Sequence, residues 1–439
     1  MLTHQRRDRG SGRKRAAAWI CQVVLAAASI GLTAAAAQAA GFNSLYSFQG
    51  GSDGQYPHGS LIQSGSMLYG MSPIGGSNGE GTIFQYDTSA NAESVLYSFP
   101  GFAGDAEVPD FGSLIQSGSS LYGPTAYGGA YGGGTIFQYD TSVNSETILH
   151  SFGADNTDGQ YPEGSLLQYG SCLYGMCYLG GSSGQGTIFK YDTATNTQTT
   201  LYAFTGGNDG GQPGLSLIRS GSVLYGMTAF GGSSGPGVIF KYDTATNMQT
   251  VLYTFTGGSD GGEPYGSLVI SGSTLYGMSS VGGNSGGGTI FKYDLGTNTY
   301  SVVHSFADNG VDGTNPYGSL IVSGSVLYGL TSGGGRYGYG TIFEYDLAEG
   351  AGREIVLHSF NESDGAYPMD SLILCGSTLY GLTAQGGTYD DGTIFSFTLP
   401  TVPEPGTLAL LALAGGTLCL QRRRRQTGHS FGMTECKTR

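Results

Sequence analysis

From residue 42 to 399, short apolar runs alternate with glycine-rich and Asp/Asn-rich breaks, and the same order of runs keeps returning. At its first full occurrence that order predicts four strands. Residues 60–63 form the first, and Ser64-Gly65 is a two-residue hairpin turn whose glycine can take a positive φ. Residues 66–72, alternating apolar and small side chains, form the second strand. A glycine loop at 75–81 leads to the third strand, 82–86. Residues 87–93 turn the chain, with Asp and Asn able to tolerate left-handed backbone, and 95–99 is the fourth strand.

Three motifs set the period. Leu-Tyr-Gly places its tyrosine at Tyr69, Tyr122, Tyr174, Tyr225, Tyr276, Tyr328 and Tyr380, at intervals of 53, 52, 51, 51, 52 and 52 residues. A Thr/Val-Ile-Phe motif recurs with Phe84, Phe137, Phe189, Phe240, Phe291, Phe343 and Phe395, and a fourth-strand motif ends at Phe48, Phe99, Phe152, Phe204, Phe255, Phe306 and Phe360. Seven copies of a repeat of about 50 residues with four antiparallel strands predict an all-β fold, a seven-bladed β-propeller spanning 40–399. A parallel β-helix is the rival, but its coils run much shorter. The order of the motifs also predicts closure. The fourth-strand motif comes first, at 43–48, and the last repeat stops after its third strand, 393–397. Pairing of 45–48 with the strand of Phe395 would complete the last blade and remove both free edges of the ring.

Composition agrees with a turn-rich fold. Glycine supplies 80 of 439 residues, and 30 Tyr and 20 Phe provide the aromatic surface that a disordered chain lacks. Charge is unevenly placed. The formal net charge is -14, yet residues 40–399 hold six bases against 29 acids, a net of -23. A phosphate backbone is a poor partner for such a body, so nucleic acid is not expected. Of the cysteines, Cys21, Cys419 and Cys436 lie near the ends; Cys172, Cys177 and Cys375 read as small strand fillers, since Met67 and Ser72 hold the equivalent positions of Cys172 and Cys177 elsewhere.

The two ends read as addresses. Six Lys/Arg within the first 15 residues, an Ala-rich apolar run and Ala37-Gln38-Ala39 predict a secretory signal peptide over 1–39, cut by signal peptidase after a small-x-small site at Ala37 and Ala39. Near the other end, Pro403-Glu404-Pro405 precedes an apolar stretch, 407–420, and then Arg422, Arg423, Arg424 and Arg425. This order over 400–425 resembles the PEP-CTERM sorting signal of Gram-negative bacteria that make extracellular polysaccharide. The resemblance implies processing by a membrane-embedded exosortase and delivery to the cell surface or extracellular matrix. About 14 apolar residues fall short of the ~20 that span a bilayer, so membrane anchoring is expected to be transient. Residues 426–439 follow as a C-terminal extension.

The repeat itself resembles kelch in the Gly-Gly pairs after the second strand, as at Gly180-Gly181, and in Tyr191-Asp192 followed by Thr195-Asn196. The usual kelch tryptophan is absent. A closer similarity is to the bacterial GloVer (Gloeobacter/Verrucomicrobia-type) tandem repeat, over 42–399, which brings no assigned activity with it.

Candidate chemistry is sparse. The inter-blade connection repeats Asp-x-x-x-Pro, beginning at Asp53, Asp105, Asp158, Asp209, Asp260, Asp312 and Asp364. One reading is an Asx-type turn followed by a proline that blocks extra strand pairing. The other is a carboxylate ring at one channel mouth that attracts Ca²⁺ or a polyhydroxylated ligand. No other cofactor is expected. His150, His304 and His358 stand where other repeats carry tyrosine and read as structural; His58 alone is in a loop. Asymmetric chemistry needs residues that break the repeat, and Glu107, Asp110, Asp370, Asp390 and Asp391 do so. Tyr127, Tyr131, Tyr337, Tyr339 and Tyr389, in the glycine loops, suit stacking on sugar rings or partner surfaces. With no catalytic constellation evident, the expectation is a non-enzymatic, exported interaction protein contacting extracellular polysaccharide or surface proteins. The alternative is a propeller-type polysaccharide hydrolase or lyase.

Overall fold

A computed structural model of the chain describes residues 41–214, 216–307, 309–348 and 352–400. The segment expected to be a signal peptide, with Ala37 and Ala39, and the residues expected to form a sorting signal, Pro403, Glu404, Pro405, Arg422, Arg423, Arg424 and Arg425, lie outside the described residues. Residues Phe42–Phe397 form one compact unit, a seven-bladed propeller of four-stranded antiparallel sheets. In the first blade the strands are Ile62–Ser64, Met67–Ser72, Thr82–Asp87 and Ala92–Ser98, paired in that order from inside to outside. The hairpin turn falls one residue later than expected, at Gly65-Ser66, with Gly65 at φ 62°. Among the described residues the sole helical element is a single 3₁₀ turn, Gly51–Asp53, and no helix is long and apolar enough to cross a membrane.

The ring closes as the motif order predicts. The seventh blade takes Ile373–Cys375, Thr378–Thr383 and Thr393–Thr398 from the end of the chain and Gly41–Ser47 from its start, with the last two strands adjacent. Phe48 N–H extends this pairing by donating to the Gly392 carbonyl at 3.0 Å. Around the axis, backbone N–H groups donate to serine hydroxyls of the next blade: Ser60 to Ser113 at 2.8 Å, Ser319 to Ser371 at 2.8 Å and, across the closure, Ser371 to Ser60 at 3.2 Å.

The core lies between blades rather than within them, because a single sheet has two faces and each must find a partner. At every one of the seven seams a fourth-strand phenylalanine meets the third-strand phenylalanine of the next blade. Ring centroids stand 5.1 Å apart for Phe48 and Phe84, 5.2 Å for Phe204 and Phe240, and 5.1 Å for Phe360 and Phe395. All of these rings have no exposure to solvent. Edge-to-face and tilted pairs of this kind add about 1 kcal/mol beyond the area they bury. The glycine of Leu-Tyr-Gly makes room for them: a Cβ at Gly70 or Gly226 would overlap the ring of Phe84 or Phe240. The repeat therefore holds glycine there for space, not for an unusual φ.

Candidate binding site at the axial mouth

Each inter-blade connection runs from the outer edge of one blade to the axis, and its two ends do different work. At the outer end the aspartate accepts hydrogen bonds. Asp53 Oδ2 takes the Tyr46 hydroxyl at 2.7 Å and the Gln49 N–H at 2.9 Å, and Asp260 Oδ2 takes the Tyr253 hydroxyl at 2.8 Å and the Thr256 N–H at 2.9 Å. These donors belong to outermost strands and the loops that follow them. The seven aspartates thus sit one per seam at the outer end of each connection, while the axis is lined by other residues.

In the middle of the connection the residue before proline adopts left-handed backbone in all seven copies: Tyr56, Val108, Tyr161, Gln212, Glu263, Asn315 and Tyr367 have φ between 50° and 56°. Non-glycine residues pay of order 1–3 kcal/mol for such backbone, and proline disfavours helical geometry in its predecessor, so the conformation must be imposed from outside. The N–H of each donates to the glycine loop of the preceding blade: Val108 to Glu80, Tyr161 to Gly133 and Asn315 to Gly287, at 2.9, 2.8 and 2.8 Å. Their carbonyls accept from Ala126, Tyr178 and Ser332 just past the second strand of their own blade, at 3.0, 2.9 and 3.1 Å. Proline then packs against a glycine of the preceding blade, as Pro109 does against Gly81. The axial end of each connection is consequently fixed before any ligand arrives.

The residue after proline is what each connection delivers to the axial mouth. In chain order it is His58, Asp110, Glu163, Gly214, Tyr265, Tyr317 and Met369. Here the sevenfold pattern breaks into two arcs. One carries ionisable groups, with Asp370 joining it from the position after Met369. His58 Nδ1 stands 2.6 Å from Asp110 Oδ1, and the His58 ring stacks on Phe111 with centroids 4.9 Å apart. Phe111 is an extra residue, at φ 51°, that lengthens the second connection by one and turns Asp110 towards its neighbour. Asp370 replaces the glycine found before the axial serine in five blades. Its Oδ1 accepts from Ser60 Oγ at 2.8 Å, Ser371 N–H at 2.7 Å and Ser371 Oγ at 3.0 Å. Burial nevertheless raises the Asp370 carboxyl to about 6, against the lowering effect of these bonds and of His58. Burial, helped by the charge of Asp110, raises Glu163 to about 7.

The opposite arc is aromatic. Tyr265 and Tyr317, from successive blades, place their rings 5.6 Å apart at 47°, and Phe230 lies 6.5 Å from Tyr265. Burial and the nearby Glu263 push the Tyr265 phenol up to about 12, so it remains a neutral donor. No Lys or Arg occupies a post-proline position.

The sequence-predicted residues are thus spread over three zones. His58, Asp110 and Asp370 converge at the mouth. Glu107 lies in the short ladder Ala106–Glu107 with Tyr127–Gly128, which, like its counterparts in other blades, ties a connection to a glycine loop. The loop tyrosines do not gather: Tyr127 stands against Tyr161 at 5.2 Å, Tyr339 against Tyr367 at 5.7 Å, and Tyr131, Tyr337 and Tyr389 are exposed. Asp390 caps the Gly386 N–H at 2.9 Å, and burial together with Asp390 raises Asp391 above the usual carboxylate range. His150, His304 and His358 face Asp158, Asp312 and Asp364 at 3.4, 3.3 and 3.2 Å, in the place tyrosine takes in other seams. Glu163, Tyr265 and Tyr317 escaped the sequence reading. Reading the single column after proline across the seven copies would have exposed them, because no two adjacent copies there share a residue except the two tyrosines.

Solved structures give the fold its context. The chain resembles an oligogalacturonate lyase from Vibrio parahaemolyticus, with a TM-score of 0.53 and 11% identity over 83% of this chain and 98% of that one. It likewise resembles the extracellular domain of a one component system from B. thetaiotaomicron, with a TM-score of 0.53 and 11% identity over 81% of this chain and 40% of that one. At such identity these likenesses speak for the fold alone. No curated protein matches the sequence. The sequence does match the Gloeobacter/Verrucomicrobia repeat over residues 32–229 and 212–435, and the chain therefore belongs to the Gloeobacter/Verrucomicrobia repeat family.

Proposed function

We propose that the axial mouth binds a polyhydroxylated ligand and that the protein is an exported, non-enzymatic interaction module contacting exopolysaccharide or another envelope component. The observation that carries this reading is the pair of opposed arcs at the one place where the repeats diverge. A sugar offers hydroxyl donors to carboxylates and an apolar C–H face to aromatic rings; His58, Asp110, Glu163 and Asp370 supply the first kind of partner, Tyr265 and Tyr317 the second. The absence of Lys and Arg from the post-proline positions, where His58 stands against the Asp110 carboxylate, favours a neutral or cationic ligand over an anionic one. The signal segment and the PEP-CTERM-like tail support passage through signal peptidase and exosortase to the cell surface or matrix of a Gram-negative bacterium.

A second reading, a propeller hydrolase or lyase acting on polysaccharide, draws on one observation. His58 is oriented by Asp110, whose charge together with burial raises Glu163 of the next connection to about 7, a set of groups suited to proton transfer. A glycan array run beside a reducing-end and unsaturated-product assay separates the two. Retention without new ends supports binding; new reducing ends or unsaturated products overturn the non-enzymatic reading.

A further inference from the structure

The outer seams repeat one geometry with different side chains. Each joins the sixth residue of a fourth strand, the connection aspartate, and the second residue of the next fourth strand. In chain order the sets are Tyr46, Asp53 and Glu93; Tyr97, Asp105 and Glu146; His150, Asp158 and Gln198; Tyr202, Asp209 and Gln249; Tyr253, Asp260 and Tyr300; His304, Asp312 and Glu354; and His358, Asp364 and Phe42. Most are closed by internal bonds. Tyrosine hydroxyls donate to Asp53, Asp209 and Asp260, Gln249 Nε2 donates to the Asp209 carbonyl at 3.2 Å, and Phe42 stacks on His358 at 3.9 Å. One seam alone combines imidazole with two carboxylates.

In that seam one ligand atom from each of His304, Asp312 and Glu354 lies within 4.8 Å of the other two. Asp312 is held in place, its Oδ2 accepting the Ala307 N–H at 2.9 Å and standing 3.3 Å from His304 Nε2, and its Oδ1 accepting the Gly313 N–H at 2.8 Å. Such bonds orient a carboxylate without using all its lone pairs, as supporting bonds to metal ligands do. Glu354 Oε1 is buried with no hydrogen-bond partner, as are Glu93 Oε1 and Glu146 Oε1, but those two stand in seams that carry tyrosine in place of imidazole. Two carboxylates and an imidazole thus face one another where a tyrosine hydroxyl would otherwise supply a proton.

We propose that this seam, between the fifth and sixth blades, is a divalent transition-metal site of zinc type, with His304, Asp312 and Glu354 as ligands. Ligands ~2.1 Å from a tetrahedral ion stand about 3.4 Å apart, so side-chain adjustments of an ångström or so complete the sphere, with water in the fourth position. Imidazole favours zinc and its first-row neighbours over calcium, which prefers an all-oxygen shell. The ion bridges the outermost strands of two blades and staples the ring at its rim, far from the axial mouth.

The test uses the untagged protein, stripped with chelator, loaded with Zn²⁺ and freed of excess metal by gel filtration. One zinc per chain is expected by elemental analysis, with a melting temperature above that of the stripped form. His304→Tyr and Glu354→Gln install residues that sister seams already carry, so both should fold; each is expected to lose the retained zinc and the thermal gain. His150→Tyr, in a seam without glutamate, should keep both. A wild-type protein that retains no zinc, or variants that retain all of it, overturns the assignment. Zinc-edge X-ray absorption of the wild type decides independently of folding: a shell of nitrogen and oxygen with one imidazole supports the site, and a sulfur shell overturns it.

Discussion

Asp370→Gly should make the protein more stable at neutral pH while weakening its mouth. The carboxyl is buried at the axis and titrates at about 6 rather than 3.8. A difference of that size corresponds to roughly 3 kcal/mol lost from the native state when the group ionises. The sign follows from the direction of the shift: the native state holds the proton more tightly than the unfolded chain, so the cost is absent below pH 3.8 and complete once pH has risen through about 6. Glycine removes the charge and restores the residue that five sister blades carry. The Ser371 N–H keeps the Ser60 hydroxyl as its acceptor, at 3.2 Å, and the Ser60 and Ser371 hydroxyls, which lose Asp370 as an acceptor, are only half-buried and can turn to water. Against this stands the extra chain entropy of glycine, about 0.5–1 kcal/mol. The net gain is therefore about 2 kcal/mol at pH 7.5, or roughly 3 °C in melting temperature for a domain of this size, and about zero or slightly negative at pH 4. Thermal melts of both proteins at the two pH values measure it. An equal change at both, or destabilisation at pH 7.5, would refute the assignment of a strained, desolvated carboxylate at the axis.

Gly226→Ala should cost about 1–3 kcal/mol in urea unfolding, because the new methyl must displace the Phe240 ring and crowds Leu217 Cδ2 at 3.0 Å; an unchanged midpoint contradicts the packed seam. Burial, with the charge of Asp53 or Asp105 added, raises Glu93 and Glu146 to about 7. Their contribution to stability is present below pH 4.5 and declines as pH rises through 7, so the melting temperature should fall between pH 5 and 8, and Glu93→Gln with Glu146→Gln should flatten that fall. Calcium should leave the melting temperature unchanged within about 1 °C, since the connection aspartates stand one per seam along the rim and calcium needs about six to eight oxygens at a single site; a rise of several degrees reversed by chelator would restore the metal-ring reading.

The architecture was legible because it depends on local periodicity repeated seven times. The displaced fourth-strand motif at 43–48 was enough to anticipate how the ring closes. What escaped was the third dimension of a short segment. Asp53 and His58 stand five residues apart in sequence, and for the two readings of the recurring aspartate, a turn or a carboxylate ring at the mouth, the sequence pattern cannot choose between rim and axis. The left-handed Tyr56 and the proline after it carry the chain from rim to axis, so the aspartate serves the rim and the irregular residue after proline reaches the mouth. No periodicity marks such a position, because its informative property is that it fails to repeat. Likewise the phenylalanines of the third and fourth strands were visible as motifs, but their meeting across blades depends on the glycine of Leu-Tyr-Gly leaving room between sheets.

The two arcs of the axial mouth should act as a single ligand site. Isothermal titration calorimetry with oligosaccharides released from the host's own exopolysaccharide tests it most directly, using the wild type, Glu163→Gln, Tyr317→Ala and, as a distant control, Tyr131→Ala. Saturable binding is expected for the wild type and for Tyr131→Ala, with affinity reduced about tenfold or more in both mouth variants. Binding that survives unchanged in Glu163→Gln and Tyr317→Ala while disappearing in Tyr131→Ala would place the site in the glycine loops and rule out the axial mouth.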